Sequence, residues 1–335
     1  MTHLSRRLLL AAPAALALPS LARAQTRQAR FAMTWIPNVQ YAGLWIALDR
    51  GWLKGEEFGW VQGGPNAPAS AVTVAGGGAE MGEIQLLPFL DAMSRGNDFV
   101  LLAAVFQRSP LGILSLPGKP IRTAADLPGK KMLVQGPNER TALDAVVKLN
   151  NLPSAPEFVP AGFSPEPLLA RAGDGYTAFE TNQVITLEKM GMARDKDFHF
   201  VSFDALKFRS YASMVFTTRR YLEAERATVV KFLSGVTRGW TENKDPAVGA
   251  RLAVRTYGRD LGLDLDQQTR QNTVQNSFLQ SPENPSQPLL SLDRAVLEGP
   301  MLEAVRATGR TNIPPVERFC DLTVMEEVHR GLRQG

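Results

Sequence analysis

"QRSPLGILSLPGKPIRTAADLPGKKMLVQGPNERTALDAVVKLNNL", residues 107–152, reads as a second beginning within one chain. Two Pro/Gly-rich turns lead to a strand at 131–134, KMLV. A Gly-Pro-Asn turn then opens a helix from about Glu139 to Asn150. Upstream, strands and helices alternate. ARFAMTW (29–35) is a buried strand, and VQYAGLWIALDRG (39–51) has helical spacing, with Tyr41, Trp45 and Leu48 on one side. GWVQGG (59–64) and AEMGEIQ (79–85) are short strands, LLPFLDAMSRG is a helix, and FVLLAAVF (99–106) is a fully buried strand. Such alternation builds parallel sheets flanked by helices.

Downstream, GDGYTAFETNQVITLEKMG (173–191) and FHFVSF (198–203) continue the second unit. The stretch 211–243 then supplies one more extended run and a long amphipathic helix, and the remainder is mostly helical. The chain thus leaves one lobe near 107–114 and returns near 209–216. The expected fold is α/β, with residues 25–110 and 213–335 in one lobe and 111–212 in the other. Two crossings form a two-stranded hinge beside a cleft that closes on a ligand. Two rigidly packed domains without a functional gap are the alternative.

The first 24 residues stand apart. Arg6 and Arg7 precede an apolar run to about Ala22, and Ala22-Arg23-Ala24 offers small residues for cleavage before Gln25. SRRLLL fits twin-arginine export and ordinary secretion equally well. Lys and Arg number 37 against 33 Asp and Glu; removing Arg6, Arg7 and Arg23 with this leader leaves 34 against 33. A nearly neutral mature chain argues against nucleic acid as a partner. Cys320 is the only cysteine, so no internal disulfide forms. No later stretch is apolar enough to cross a bilayer. The roughly 310 residues after the leader exceed what one core usually serves. A soluble protein of the bacterial periplasm is expected.

Catalytic and metal signatures are missing from the sequence. The three histidines, His3, His199 and His329, lie far apart, and no H-x-x-x-H or C-x-x-C spacing occurs. Neither GDGYTAFE nor AGGGAE has the G-K-[ST] ending of a phosphate loop. No enzymatic activity, metal or cofactor is expected.

WIPNVQYAGLWIALDRGWLKGE, VTVAGGGAEMGEIQ, the 121–152 stretch, DGYTAFETNQVITLEKMG and SMVFTTRRYLEAERATVVKFLSG occur in an order that resembles the NMT1/THI5-like, thiamine-pyrimidine-precursor-like periplasmic solute-binding proteins of ABC importers. The W-x-P-N-x-x-x-A-G-L start is the most specific part; DLPGKK is common to many solute-binding proteins. The resemblance implies a type II periplasmic-binding-protein fold, each lobe a mainly parallel sheet, and a small ligand delivered to a membrane permease and its ATPase. A monomer is the default for such a carrier. Ligands across the family and its cousins include aminopyrimidine precursors of thiamine, flavins, sulfonates and nitrate. Fungal synthases of the same superfamily consume their own histidine, but no His occupies the first strand–helix loop here.

Trp35, Asn38 and Tyr41 sit where the first strand hands over to the first helix, where open α/β sheets bind ligands. Trp35 and Tyr41 are read as a stacking clamp for a planar nitrogen heterocycle, with core filling as the alternative; Trp45, a turn deeper, is read as core. Glu83 and Gln85 follow at the next strand end, where the acid would accept N–H bonds from the ring or simply meet water. In the second lobe, Asn138 is expected to cap its helix beside the cleft, and Arg140 to lie on a wet face or meet an anion. Tyr176 and Asn182 are the expected contacts from GYTAFETNQ, with Glu180 a weaker one. Arg108, at the first crossing, touches the ligand or pairs across the hinge. A binding protein for an alkylsulfonate or nitrate, held by helix N-termini, is the rival reading. A sensor for a membrane kinase is a third.

Overall fold

The computed structural model describes residues 28–281 and 283–334. The leader read at 1–24 lies outside the described residues. Strands β1 (Ala29–Ala32), β2 (Phe58–Val61), β3 (Met81–Ile84) and β4 (Phe99–Phe106) come first. After residues 107–110 the chain forms β5 (Leu111–Ser115), β6 (Lys131–Val134), β7 (Glu157–Pro160), β8 (Gly175–Phe179) and β9 (His199–Ser202), then returns as β10 (Ala212–Thr218). Two five-stranded sheets result, ordered β2-β1-β3-β10-β4 and β7-β6-β8-β5-β9. Each holds one strand that arrives directly from the other sheet, β10 in the first and β5 in the second. Both run antiparallel to both of their neighbours. The remaining pairings are parallel.

Helices α1 (Ala42–Asp49), α2 (Ser70–Ala75) and α3 (Leu86–Ser94) flank the first sheet, and α4 (Pro137–Leu149), α5 (Glu166–Leu169) and α6 (Ile185–Lys189) the second. The long α7 (Arg219–Glu242) buries Leu222, Val229, Leu233, Val236 and Trp240 at three-, four- and seven-residue spacings, the stripe that sequence periodicity demands. Its start is capped by Thr218, whose side chain accepts from the backbone N–H of Tyr221. Helices α1 and α7 touch backbone to backbone. A Cβ on Gly239 would fall 1.9 Å from the Gly43 carbonyl oxygen, so only glycine fits there.

The C-terminal helices are α8 (Pro246–Leu252), α9 (Leu265–Asn276), α10 (Arg294–Val296), α11 (Leu302–Ala307), α12 (Val316–Phe319) and α13 (Thr323–Gln334). Two of them touch elements of both lobes. Helix α9 packs on α8 and on α6, and Arg270 of α9 makes a two-pronged ion pair with Glu188 of α6 at 2.9 and 3.1 Å. Helix α11 packs on α4. Leu302 and Val305 share one apolar cluster with Leu143 and Val146, and that cluster continues to Phe89 and Phe216 of the first lobe. The lobes are therefore joined by more than the two crossing segments the sequence suggested: α11 buries an apolar face on both sides, whereas α9 buries the amides Gln268, Gln271, Asn272 and Gln275 and reaches α6 through an ion pair. Strand β4, at a sheet edge, is buried along its whole length, with Leu101 bridged to Cys320. Among the described residues, no helix is long and apolar enough to cross a membrane.

Candidate functional site

A cavity of about 370 Å³ lies between the two sheets, at the carboxyl ends of β1, β3, β6 and β8. This is where strand-to-helix loops in open α/β sheets leave room for a ligand. Its first wall is the loop 33–41. Asn38 caps the turn Val39–Tyr41, its Oδ1 accepting from the Gln40 N–H at 2.9 Å, and the Trp45 indole donates to the Asn38 carbonyl at 2.7 Å. Helix α9 fixes the loop from behind. Gln268 accepts from the Val39 N–H at 2.9 Å, and Gln275 donates to the Val39 carbonyl at 2.7 Å.

Glu83 knits this wall together from within. Its carboxylate accepts from the Tyr41 hydroxyl at 2.8 Å, from Gln40 Nε2 at 3.0 Å, and from both the backbone N–H and the hydroxyl of Thr34. Only 2% of Glu83 is exposed. Tyr41 is buried as well; its oxygen accepts from the Trp35 N–H at 3.0 Å, and its ring meets Trp45 edge-on. Burial, and then the nearby Glu83 charge, hold the Tyr41 phenol well above its ordinary pKa. Two expectations are corrected accordingly. Tyr41 does not face the cavity and forms no clamp with Trp35, because its hydroxyl points inward to Glu83. Glu83 is not part of the cavity lining; it is buried in the wall, where Thr34, Gln40 and Tyr41 donate to its carboxylate.

Trp35, Asn38 and Gln85 do line the cavity. The ring opposite Trp35 comes from the other lobe: Phe163 stands edge-on to it, with centroids 5.2 Å apart. Phe163 is 46% exposed. Nothing singled it out in the sequence beyond being a lone aromatic in a Pro/Gly-rich loop, PAGFSPEP. Its backbone is held by two neighbours. The Tyr176 hydroxyl donates to the Gly162 carbonyl at 2.8 Å, and Gln183 donates to the Phe163 carbonyl at 3.1 Å. Tyr176 is fully buried and accepts from Gln135 at 2.8 Å, so it positions the second wall and does not touch the cavity, contrary to expectation. Burial pushes its phenol up to about 12.

The start of α4 completes the second wall. Gly136 is the capping residue, Pro137 opens the helix, and Asn138 sits exposed at the second helical position beside the cavity. Asn138 therefore lines the cleft without being the expected cap; proline suits the first helical position, which moves the cap two residues earlier, to Gly136. Asn182 lines the cavity from a π-helical turn at Glu180–Val184. Arg140, Glu180 and Arg108 stay outside the lining. The Arg140 guanidinium lies over Phe158, Arg108 lies over Phe278, and Glu180 pairs with Arg194 at 2.5 Å.

Sequence reading also passed over Gln40, Ser213, Gln271 and Glu139 as cavity-lining residues. Ser213, on β10, carries a positive φ of 49°, the kind of strain that gathers at functional sites. Among the described residues, Glu139 is the sole ionisable side chain of the lining. Burial raises its carboxyl above the ordinary range, offset in part by its own backbone N–H. Among the described residues, no group of acids, His and Cys could hold a metal ion.

A family model described as NMT1/THI5 like matches residues 38–247, well over half of the chain. The protein belongs to the NMT1/THI5-like family. Solved structures share its two-lobed fold at low identity. A ligand-binding component of an ABC-type import system from Staphylococcus aureus, with zinc bound, is 12% identical at a TM-score of 0.66, over 90% of this chain and 99% of that one. A putative periplasmic sulfonate-binding protein from Methylobacillus flagellatus is 15% identical at 0.64, over 92% and 96%. The periplasmic nitrate-binding protein from Synechocystis is 11% identical at 0.60, over 92% and 89%. No curated protein matches the chain. For this NMT1/THI5-like chain the fold follows from these likenesses, and the cargo has to be argued from its own cleft.

Proposed function

We propose that this protein is the periplasmic substrate-binding component of an ABC importer, exported by its N-terminal leader, acting as a monomer and handing a small planar nitrogen heterocycle to a permease and its ATPase. Aminopyrimidines of the thiamine-precursor kind are the first candidates. The observation that carries this reading is the make-up of the cleft. Two aromatic rings in edge-to-face contact, Trp35 and Phe163, come from opposite lobes, and neutral amides such as Asn38, Gln40, Gln85 and Asn182 line the cavity beside them, with no Lys, Arg or His in the lining among the described residues. Flat rings gain from aromatic faces, and amides serve both donors and acceptors of a heterocycle. Bound between two lobes, the ring draws them together about the crossings at 107–110 and 203–211, a shift of a few kcal/mol that a permease can read.

One feature supports the rival anion reading. Helix α3 starts at the cavity, and its capping residue Gln85 makes no side-chain cap. Free N–H groups of that kind bind anions. The start of α4, however, already carries Glu139. Thermal-shift and calorimetric screening of pyrimidines, purines and flavins against alkylsulfonates and nitrate separates the two readings. Heterocycle binding with compaction in small-angle scattering is expected; binding of the anions alone overturns the proposal.

A further inference from the structure

Glu139 is placed where its charge matters. It lies in the first turn of α4, its Oε2 folded back over Gly136 so closely that a Cβ there would come within 2.9 Å. Among the described residues no Lys, Arg or His pairs with it; the next residue, Arg140, has its guanidinium committed to the Phe158 ring. The polar neighbours on its own side are Asn138 and the Gln135–Tyr176 pair, all uncharged. Across the cleft, Glu83 adds charge of the same sign behind the first wall. A carboxylate taken partly out of water without a counterion is costly, and a desolvated cation arriving beside it removes that cost.

Resting on the proposed function above, we infer that the ring this cleft takes is cationic, carrying a protonated amidine- or aminium-type nitrogen that donates to the Glu139 carboxylate. The elevated carboxyl pKa agrees with a charge short of a counterion. The ring of such a ligand lies in the cavity against the Trp35–Phe163 pair, and its charged edge faces the start of α4. Charge-assisted hydrogen bonds of this kind are about twice as strong as neutral ones. The same carboxylate repels sulfonates and other anions, which supplies discrimination as well as affinity.

The test uses three probes of one shape with the mature chain: benzamidine as the cation, benzamide as its neutral counterpart and benzenesulfonate as the anion, each titrated by calorimetry. Benzamidine is expected to bind about tenfold or more tighter than benzamide, with benzenesulfonate weakest. In Glu139→Gln the ratio of benzamidine to benzamide affinity should fall to within about threefold, and Glu139→Lys should reverse the order in favour of benzenesulfonate. Circular dichroism confirms that both variants fold. Equal affinity for benzamidine and benzamide in the wild type, or an unchanged ratio in Glu139→Gln, overturns the inference while leaving a ring-binding cleft intact. Failure of all three probes and of the wider heterocycle panel overturns the proposed function, and this inference with it.

Discussion

The two walls of the cleft are built on opposite plans. In the first, a buried carboxylate, Glu83, gathers the donors of Thr34, Gln40 and Tyr41 and fixes a loop whose one outward ring is Trp35. In the second, two uncharged buried side chains, Tyr176 and Gln183, hold backbone carbonyls of a loop whose outward ring is Phe163. Only the second wall presents its acid, Glu139, to the cavity. The difference teaches that a carboxylate in a cleft protein can be sealed into a wall or left facing the cavity, and that burial separates the two placements. Glu83 meets its donors inside the wall, whereas Glu139 keeps a face open to the cavity.

The hardest blow to this comparison falls on the first wall. Glu83→Ala leaves the Tyr41 hydroxyl and the Thr34 and Gln40 donors without their acceptor, and should cost about 3 kcal/mol in urea unfolding. Glu83→Gln, which keeps an acceptor, should cost less. A loss below about 1 kcal/mol for the alanine variant would mean the network is not a scaffold.

Next in size are the outward rings. Trp35→Ala and Phe163→Ala should each weaken the best heterocyclic ligand about tenfold by calorimetry, since each removes an aromatic face. Phe163→Ala should leave the unfolding midpoint almost unchanged, because nearly half of that side chain is already exposed. Equal affinity in wild type and both variants would break the pairing of Trp35 with Phe163.

A smaller effect separates the phenols behind the walls. All five tyrosines have raised pKa values, Tyr41 well above 10 and the others to about 12. A phenol that keeps its proton when folded and releases it when unfolded contributes stability below pH 10 that is lost as pH rises through its folded value. Unfolding midpoints should therefore fall between about pH 10 and 12. Tyr41→Phe should flatten that fall more than Tyr176→Phe, since burial and then the adjacent Glu83 charge raise Tyr41 well above its ordinary value, whereas at Tyr176 the hydrogen bond from Gln135 offsets part of the effect of burial.

The smallest effect concerns the tie between the lobes. Arg270→Gln removes the pair with Glu188 between α9 and α6. Both groups are partly exposed, so the change in midpoint should be slight and should vanish by about 1 M salt. A large change that salt does not touch would place this contact among the structural ones.

Much of this molecule was legible in its sequence. Strand β4 occupies the same residues, 99–106, that its unbroken apolar run marked out, and KMLV is β6. The loop after β1 was recognisable as part of a cleft because strand ends in α/β sheets open there, and Trp35, Asn38, Gln85, Asn138 and Asn182 all reach the cavity. Tyr41 and Tyr176 show where reading failed. Each is a ring of the right kind near the right strand end, yet each hydroxyl turns inward to an acceptor, Glu83 or the Gly162 carbonyl. Nothing local distinguishes such a tyrosine from one that faces a ligand.

By itself the sequence determined the alternation of elements, the change of sheet after residue 106 and membership in a two-lobed family, because hydrophobic period, Gly/Pro punctuation and strand-end loops are properties of neighbouring residues. Only tertiary structure decided which ring faces Trp35, which carboxylate is sealed and which is open, and that α9 and α11 span both lobes. Those outcomes depend on partners distant along the chain, and a side chain's direction is fixed by what packs against it once both have arrived.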